Sequence, residues 1–508
     1  MSTPQAAATG GEDSAPRIST VAGTGVSGFA GENDAALSAQ LKLPYGIAVD
    51  STGTLYFSDY SNHRVRRVTT DGKISTVAGT GSAGYGGDGG PAATAQLNCP
   101  REVAVDSAGT VYVADAANNR IRKITTDGKI STVAGTGAAG SGGDNGPAAS
   151  AQLNKPFGVA VDSTGALYIA EFGSHRIRRV TADGKITTFA GTGVAGSGGD
   201  GGPAGSAQLN TPYAVVMDRD DAVYIADSGN HRVRKVGSDG KISTVAGTGA
   251  AGFGGDDGPA TAAKLNKPYG IVLDTTGTLY ISEYANHRVR RVAVDGKIST
   301  VAGTGAAAFG GDDGPAAAAK LNSPFGLAVD CVDTLYIADH LNNRIRKIAS
   351  ERMAGLPESG TVVSWANVRS RLRMGVLRES LKDGAEIQQS LASPRSHQRW
   401  RLIASGQDDG DILYRIENVR SGKVLEVVGG GTVDGAVVAQ RAYEGSDAEH
   451  QQWRLVPVGS LTDSPRVYEI ANRNSGLLLR VDTNAPTVIK QYGAQGDHRD
   501  RQWQLLPV

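Results

Sequence analysis

Six aspartates stand at equal intervals of 56 residues through the first two thirds of the chain. Each of them closes a short apolar run, as in the segment YGIAVD that ends at the first of the six. The six residues are Asp50, Asp106, Asp162, Asp218, Asp274 and Asp330. A fixed period of this size, with no residue gained or lost between the marks, predicts a repeat architecture.

One repeat contains four short segments that favour β-strands, at residues 45–50, 55–58, 65–68 and 74–78. They are rich in Val, Ile and Tyr, and tight polar turns separate them, among them the hairpin pair Asp71-Gly72. Four-stranded antiparallel units that repeat radially form a propeller, so six units predict six blades.

The two ends of the repeat array complement each other. The sixth unit stops at residues 348–350 and lacks the fourth strand, which the other units write as KISTVAG or KITTFAG. The matching segment ISTVAG stands before the first unit, at residues 18–23. We therefore predict that this N-terminal strand completes the last blade and closes the ring, which removes an exposed strand edge.

Composition divides the chain. All four tryptophans lie after residue 360 and all eight phenylalanines lie before it. We expect a flexible tail at residues 1–17, a propeller at 18–349, a linker at 350–361 and a second domain at 362–508. The whole chain is expected to be all-β.

Charge and targeting signals limit the partners. The chain has 51 basic and 51 acidic residues, which argues against a nucleic-acid-binding surface. It shows neither a secretory signal nor an apolar stretch long enough to span a membrane. We expect a monomer, either cytoplasmic or exported without a leader, for which an extracellular role stays open. Cys99 and Cys331 occupy different repeat positions and are expected to be unpaired.

The motifs YGIAVD, TLYFSD and NHRVRRV, with their echoes in the other units, resemble the NHL-repeat propellers. The resemblance covers every blade. It implies a six-bladed interaction platform in many proteins and an enzyme in a few.

Polar residues that recur in the blades are expected to hold the fold. The acids that end the second strand are expected to accept N–H bonds from the turn that follows; they are Asp59, Asp115, Glu171, Asp227, Glu283 and Asp339. The histidines at 63, 175, 231 and 287 are replaced by Asn119 and Asn343 in two blades. An amide in place of an imidazole indicates a hydrogen bond rather than a metal ligand. The loop aspartates fit no calcium motif, so we expect no metal and no cofactor.

Positions that vary between blades are better candidates for binding. Two such positions belong to one end of the blades, the residue after the proline of the first strand and the residue after the second strand. The first set is Tyr45, Arg101, Phe157, Tyr213, Tyr269 and Phe325; the second contains Tyr60, Phe172, Tyr284 and His340. We predict an aromatic rim around the mouth of the central channel, with a ligand-binding role.

Blade two departs from this pattern with Arg101-Glu102, where the other blades have an aromatic residue followed by glycine or alanine. Glycine suits six backbones that converge on an axis. Glu102 would therefore place one carboxylate at the channel mouth beside an arginine, as a ligand contact or as a local Arg–Glu pair.

The C-terminal region contains a second, looser repeat. The segments HQRWRLI, HQQWRLVPV and DRQWQLLPV place tryptophans at 400, 453 and 503. Three such units resemble the ricin-type (QxW) β-trefoil of lectins and carbohydrate-binding modules, and the tryptophans are expected to lie in its core.

The resemblance implies that an aspartate shortly after the SGK turn would bind sugar. We expect Arg373, Glu426 and Arg480 at the corresponding places, so only the middle unit keeps a carboxylate. The candidate sugar-binding residues are Glu426, Tyr443 and Gln451, and Tyr492 is a further ring for stacking.

These features favour a non-catalytic recognition protein that binds a carbohydrate or protein ligand. The alternative is a metal-dependent propeller enzyme of the lyase or lactonase type, with the trefoil as a targeting module. The residues at the predicted mouth do not form the set of histidines or clustered carboxylates that such a metal would need, so no catalytic residue is assigned.

Overall fold

A computed structural model describes residues 15–50, 53–218, 220–274, 276–330, 333–349, 359–367, 373–376, 380–390, 396–408, 411–433, 436–445, 448–458, 467–475, 477–481, 489–492 and 502–507. The chain divides into two compact units. The first comprises residues 1–50 and 54–351, and the second comprises residues 51–53 and 352–508.

The first unit is a propeller of six four-stranded antiparallel blades. The first three blades contain β2 (Pro44–Val49), β3 (Leu55–Asp59), β4 (Arg64–Val68) and β5 (Ile74–Ala78); β6 (Pro100–Val105), β7 (Val111–Asp115), β8 (Arg120–Ile124) and β9 (Ile130–Ala134); and β10 (Pro156–Val161), β11 (Leu167–Glu171), β12 (Arg176–Val180) and β13 (Ile186–Ala190). The next two contain β14 (Pro212–Met217), β15 (Val223–Asp227), β16 (Arg232–Val236) and β17 (Ile242–Ala246); and β18 (Pro268–Leu273), β19 (Leu279–Glu283), β20 (Arg288–Val292) and β21 (Ile298–Ala302).

The sixth blade joins the two ends of the repeat array. It contains β23 (Pro324–Val329), β24 (Leu335–Asp339), β25 (Arg344–Ile348) and the N-terminal strand β1 (Arg17–Ala22). Ile18 pairs antiparallel with Ile348, and a two-residue strand, β22 (Gly314–Pro315), lies on the other side of β1. The predicted closure of the ring by the N-terminal strand is confirmed.

Strand register defines two faces of the propeller. In the first blade Pro44 pairs with Asp59 and Val49 pairs with Leu55, so the first strand starts where the second one ends. We call the end at Pro44 and Asp59 the upper face and the end at Asp50 the lower face. The other blades repeat this register, so the long connections between blades begin and end at the upper face.

Short 3₁₀ helices are the helical elements among the described residues. One set lies in the connections between blades, at Ala36–Ser38, Ala92–Thr94, Ala148–Ser150, Ala204–Ser206, Ala260–Ala262 and Ala316–Ala318. Another set follows the second strand, at Tyr60–Asn62, Ala116–Asn118, Ser228–Asn230, Tyr284–Asn286 and His340–Asn342. None of the helices described is long and apolar enough to cross a membrane.

The second unit contains a closed six-stranded barrel. Its strands are β26 (Val362–Asn367), β29 (Trp400–Asp408), β30 (Asp411–Asn418), β33 (Trp453–Val458), β34 (Val467–Asn472) and β37 (Gln502–Pro507), each paired with the next, and β37 pairs with β26. Three hairpins are added to it, formed by β27 (Arg373–Val376) with β28 (Ala385–Ser390), β31 (Val424–Val427) with β32 (Val438–Arg441), and β35 (Leu478–Val481) with β36 (Ile489–Tyr492). Further 3₁₀ turns lie at Ser396–Gln398, Val428–Gly430 and Glu449–Gln451. A barrel of six strands with three hairpins is a β-trefoil.

The tryptophans of this barrel lie in its core. Trp365, Trp400, Trp453 and Trp503 are fully buried. The indole N–H groups of the last three donate to the carbonyl oxygens of Met374, Leu425 and Leu479, at 3.0–3.1 Å. The same contact therefore recurs in all three units, and the prediction that the tryptophans are core residues is confirmed. The all-β fold class is likewise confirmed.

Candidate functional site

The aromatic residues predicted to surround the channel mouth come together on the upper face, but they close the channel there. Five of the nine side chains in this set are buried, and the other four are half-buried. Ring centroids lie 4.0 Å apart for Tyr45 and Phe325, 4.0 Å for Tyr213 and Tyr269, and 4.4 Å for Phe157 and Phe172. We call this cluster the plug; it comprises Tyr45, Tyr60, Phe157, Phe172, Tyr213, Tyr269, Tyr284, Phe325 and His340, with Arg101 among them.

Arg101 supplies the cation inside the plug. Its guanidinium carbon lies 3.6 Å from the ring centroid of Phe157 and 4.6 Å from that of Tyr45, and its Nη1 donates to the hydroxyls of Tyr45 and Tyr213. Burial lowers the pKa of Arg101 to about 10, so the group stays charged at neutral pH. The aromatic faces stabilise this desolvated cation in place of a carboxylate.

His340 is held as a neutral ring of the plug. Its Nδ1 lies 3.0 Å from the carbonyl oxygen of Pro44, to which it donates, and its ring centroid is 4.5 Å from that of Phe325. Burial, with the nearby charge of Arg101, lowers the pKa of His340 to about 4. The imidazole is therefore uncharged at neutral pH and is committed to structural contacts.

Glu102 lies on the channel side of the plug, at the ring where the six first strands converge. A Cβ atom on Gly326 would come within 2.4 Å of the Tyr45 carbonyl oxygen, and one on Gly46 within 2.5 Å of the Cα of Glu102. The crowding explains the glycines of four blades. Blade two has Glu102 in place of this glycine, and the side chain of Glu102 extends into the channel. There its carboxyl accepts hydrogen bonds from the backbone N–H groups of Ile47 and Val103.

Arg101 and Glu102 do not form the local ion pair that the sequence left open. The arginine extends into the plug and the glutamate lines the channel, and among the described residues no ion pair joins them. Burial raises the pKa of Glu102 to about 8, although its two backbone hydrogen bonds oppose that rise. Glu102 is thus a desolvated carboxyl without a charged partner.

The channel below Glu102 is a cavity of about 750 Å³. Small apolar residues of the first strands line its wall, for example Val103, Ala160 and Val216. Its lower end reaches the exposed residues Ser163 and Thr276, so the cavity opens at the lower face. The repeated aspartates of that face are turn formers as well, since each accepts the backbone N–H four residues later, as Asp330 does from Thr334 at 2.9 Å.

The raised pKa of Glu102 gives a testable pH dependence. Between pH 5 and pH 8 the folded protein holds a proton on Glu102 that the unfolded chain releases, so stability falls as pH rises through this window. Between pH 5 and pH 9 we expect the free energy of unfolding of the wild-type chain to fall by roughly 1–3 kcal/mol more than that of Glu102→Gln. Calorimetry of both proteins across that range measures it, because other buried acids are common to both. A difference that is constant with pH would contradict the assignment.

The recurring acids and arginines form structural networks on the upper face. Asp59 accepts the backbone N–H of Lys42 at 2.7 Å and the side-chain amide of Asn62 at 2.8 Å. The predicted backbone donor in the following turn is therefore wrong: the N–H comes from the segment that enters the blade, and the turn contributes a side chain. Buried arginines pair both with these acids and with the loop aspartates. Arg122, for example, lies 2.6 Å from the loop residue Asp88 and 3.3 Å from Asp115.

The recurring histidines accept hydrogen bonds between blades. His63 has a left-handed backbone with φ of 51°, and its Nδ1 accepts the backbone N–H of Cys99 at 3.2 Å. In blade two the Oδ1 of Asn119 accepts the N–H of Lys155 at 2.9 Å in the same way. The exchange of imidazole for amide is thus explained by a shared acceptor. Cys331, the second predicted free thiol, lies outside the described residues.

In the trefoil the structure brings Glu426 and Gln451 together. Glu426 is buried. Its Oε1 accepts a hydrogen bond from Nε of Arg441 at 2.6 Å, and its Oε2 accepts one from Nε2 of Gln451 at 3.0 Å. Gln451 also donates to the carbonyl oxygen of Ala442 and accepts the N–H of Glu444, at 3.1 and 3.0 Å. A carboxylate on β31 of the second hairpin is thereby fixed in position.

Tyr443 and Tyr492 are the aromatic candidates of the trefoil. Tyr443 follows the second hairpin and is half-buried, and the guanidinium of Arg415 lies 4.5 Å from its ring centroid. Tyr492 ends β36, but its side chain lies outside the described part of the chain.

The predicted counterpart of Glu426 in the first trefoil unit is wrong. Because the indoles of Trp400 and Trp453 bond to Met374 and Leu425, the residue equivalent to Glu426 is Gly375, not Arg373. A Cβ on Gly375 would lie 3.0 Å from Cγ of Gln398, as expected if Gln398 takes the place of Gln451. The first unit therefore has no side chain at the place of the carboxylate.

Three side chains near this site have metal-binding atoms close to one another. Glu426, Glu444 and His450 each offer one ligand atom within 4.8 Å of the others. Both oxygens of Glu426 are already engaged, by Arg441 and by Gln451. This donor set therefore fits a hydrogen-bonding network better than it fits a cation.

Comparisons with known families agree with this architecture. A teneurin NHL domain model matches residues 81–142 and 260–349, and an NHL repeat model matches residues 153–180 and 209–236. A ricin-type β-trefoil lectin domain-like model matches residues 354–441 and 396–492. The chain joins an NHL-repeat propeller to a ricin-type trefoil.

Similar proteins match the propeller. Protein SUPPRESSOR OF QUENCHING 1, chloroplastic, of Arabidopsis thaliana is 30% identical over 336 residues, covering 62% of this chain and 31% of that protein. NHL repeat-containing protein 2 of Homo sapiens is 29% identical over 345 residues, covering 60% and 46%. The chain thus spans less than half of the length of these curated relatives.

Two solved structures are similar to parts of the chain. A protein of unknown function from Bacteroides thetaiotaomicron has a TM-score of 0.50 at 21% identity, over 66% of this chain and 76% of that one, which shows the fold alone. The designed three-fold symmetric protein ThreeFoil is 32% identical over 29% of this chain and 99% of its own, with a TM-score of 0.25.

Sequence reasoning missed the partners of the candidate groups in both domains. In the ricin-type trefoil these are Arg441, which ends β32, and His450, which precedes the glutamine of the QxW motif. The duplicated motif HQ at residues 397–398 and 450–451 was a signal for the histidine. In the NHL propeller, the residues at the lower opening of the channel recur in the blades, so variation between repeats does not reveal them.

Proposed function

We propose that the protein is a non-catalytic recognition protein whose trefoil binds carbohydrate at its middle unit, while the propeller is a rigid binding platform. An NHL propeller together with a ricin-type lectin-like domain fits a binding or scaffold role. Carbohydrate binding by Glu426 and Tyr443 is what we propose beyond that role.

The observation that carries the proposal is the fixed carboxylate of Glu426. Glu426 can still accept from a sugar hydroxyl, because each carboxylate oxygen keeps a second lone pair beside its bond to Arg441 or Gln451. Hydrogen bonds to a carboxylate are stronger than neutral ones, and an oriented side chain loses no rotamer entropy on binding. Arg441 and Gln451 provide that orientation at 2.6 and 3.0 Å. Tyr443 supplies a half-buried ring in the adjoining segment, of the kind on which a sugar face stacks.

The geometry favours binding over catalysis in the propeller. His340, the imidazole of the predicted mouth, is neutral and bonded to a backbone carbonyl within the plug. Glu102 lies on the other side of the plug, and no second ionisable group of the described residues contributes to its raised pKa. Acid–base catalysis by His340 and Glu102 together would require both to reach one reacting atom, and these two groups do not share one site.

The test is glycan binding by the full chain and by trefoil variants, on a panel of polysaccharides and oligosaccharides with titration of each hit. We expect Glu426→Gln and Tyr443→Ala each to weaken binding by about tenfold or more, since each removes one of the two main contacts. Glu417→Gln is the matched control, because Glu417 also pairs with an arginine, Arg401 at 2.9 Å, but lies in the barrel strand β30.

Thermal melting of each variant checks that the trefoil stays folded. Glycan binding that survives both Glu426→Gln and Tyr443→Ala would remove the middle unit from consideration. The absence of binding by the wild-type chain to any glycan of the panel would contradict the carbohydrate proposal as a whole.

A further inference from the structure

The central channel of the propeller has a chemical character that the proposed carbohydrate function does not use. It is a cavity of about 750 Å³, which is in the size range of small-molecule sites. It is blind at the plug and open at the lower face. A site of this form admits a ligand from one direction only.

The wall of the channel is apolar over most of its depth. Each blade contributes three consecutive small or medium residues of its first strand, and those of blade two are Val103, Ala104 and Val105. An apolar wall favours the burial of a hydrocarbon body.

Carboxyl groups are the charged groups among the described residues of the channel wall. Among the described residues that line it no Lys, Arg or His occurs, whereas seven acids do: Glu102 at the blind end, and Asp162, Asp218, Asp220, Asp221, Asp274 and Asp330 toward the opening. Asp218 pairs with Lys235 at 3.1 Å and Asp162 with Arg179 at 3.9 Å. Glu102 accepts the backbone N–H groups of Val103 and Ile47.

We propose that the channel binds a small aliphatic amine, whose hydrocarbon body contacts the apolar wall and whose ammonium group pairs with Glu102. The aspartates of the opening attract such a cation, because a concave site lined by one sign of charge concentrates the opposite sign. At the blind end Glu102 replaces the water that the ammonium loses. The site belongs to the propeller and is independent of the trefoil proposal, so either can fail alone.

The probes are three molecules with the same eight-carbon chain: n-octylamine, 1-octanol and octanoate, titrated calorimetrically into the full chain. We expect the amine to bind about tenfold or more tightly than the alcohol, as a charge-assisted hydrogen bond provides, and octanoate to bind least. If the amine binds the wild-type chain no more tightly than the alcohol, the proposal is overturned.

Two variants locate the site. Glu102→Gly gives blade two the residue that blades one, three, five and six already have, so the backbone accepts it. We expect this change to reduce the preference for amine over alcohol to within about twofold, because the apolar wall remains. Ala160→Phe narrows the channel and should weaken the amine and the alcohol together. Retention of the amine preference by Glu102→Gly would overturn the proposal, as would binding unchanged by Ala160→Phe in a folded protein.

A second readout separates this site from binding at the outer surface. The other five positions of the convergence ring are Gly46, Gly158, Ala214, Gly270 and Gly326, which carry no ionisable group. Arg101 and the phenols of Tyr45, Tyr213 and Tyr269 lie in the plug, and the aspartates lie toward the opening. Because the empty site keeps Glu102 protonated below a pKa of about 8, binding of an ammonium group releases a proton.

The apparent affinity for octylamine should therefore rise by up to about tenfold per unit between pH 6 and pH 8. The affinity for octanol should stay flat over the same range. Buffers of different ionisation enthalpy report the released proton directly. A flat profile for the amine, or the same rise in Glu102→Gly, would contradict pairing with Glu102.

Discussion

Replacing Arg178 by alanine is expected to lower the stability of the propeller by about 3–5 kcal/mol, the cost of breaking a buried ion pair. The Arg178 side chain is fully buried between Glu171, at 3.4 Å, and Asp144, at 2.6 Å. Its removal leaves Glu171, which is also fully buried, as a charge without a cation. Burial already raises the pKa of Glu171 to about 7 in the intact protein, so the variant should lose most at high pH.

The neighbouring Arg179 is the matched control. Its side chain is 38% exposed and lies 3.9 Å from Asp162. Exposed ion pairs contribute little, so Arg179→Ala should cost less than about 1 kcal/mol. Calorimetry measures the propeller transition, and tryptophan fluorescence identifies the trefoil transition, because every tryptophan lies after residue 360. Equal losses from the two variants would contradict the structural role of the buried network.

Replacing Trp453 by alanine is expected to lower the stability of the trefoil by a similar amount, about 3–5 kcal/mol. The indole is fully buried at the start of β33 and donates to the carbonyl oxygen of Leu425 at 3.0 Å. The substitution removes a large apolar volume and leaves that carbonyl without its donor. The remaining tryptophans report urea unfolding of the trefoil.

Trp453→Phe separates packing from ligand contact. Phenylalanine keeps most of the apolar volume and loses the N–H, so we expect a smaller loss of about 1–3 kcal/mol. If the tryptophan is a core residue, glycan binding by this variant should stay within about twofold of wild type at a temperature where the trefoil is folded. A selective loss of glycan binding without a loss of stability would show that the ring contacts the ligand.

Most of the propeller follows from periodicity. The 56-residue spacing, the four apolar segments of each unit and the displaced ISTVAG segment were sufficient to predict six blades and their closure, since these depend on local strand pattern and on counting. Periodicity does not predict which backbone N–H donates to Asp59. The donor depends on how the chain turns between Lys42 and Pro44, with a left-handed Leu43, and that turn has no glycine to reveal it.

The candidate site was predicted in composition but not in arrangement. The sequence placed Arg101 and the aromatic residues at one end of the channel, and the structure agrees. Whether they form a rim or a plug depends on the packing of side chains from six blades, which no single repeat contains. The same limit applies to Glu102: its position followed from alignment of the blades, whereas its separation from Arg101 follows from where the aromatic rings leave space.

Register in the trefoil shows a different limit. The first unit has no SGK turn to anchor its alignment with the middle unit, so the sequence alone predicts Arg373 as the counterpart of Glu426. The structure replaces that anchor with the indole hydrogen bonds, which identify Gly375 as the counterpart.

The pairing of β1 with β25 has a consequence for how the protein is made. Ile18 leaves the ribosome among the first residues of the propeller, and its partner Ile348 leaves it last. The hydrophobic face of the first strand, with Ile18 and Ala22 fully buried in the finished ring, must wait while five complete blades are synthesised. Each of those blades can form from contacts local in sequence, whereas the ring closes only through this long-range contact, so we expect its formation to be the slow step of folding. During translation the segment at residues 17–22 is therefore the part of the propeller most exposed to chaperones and to pairing with other chains.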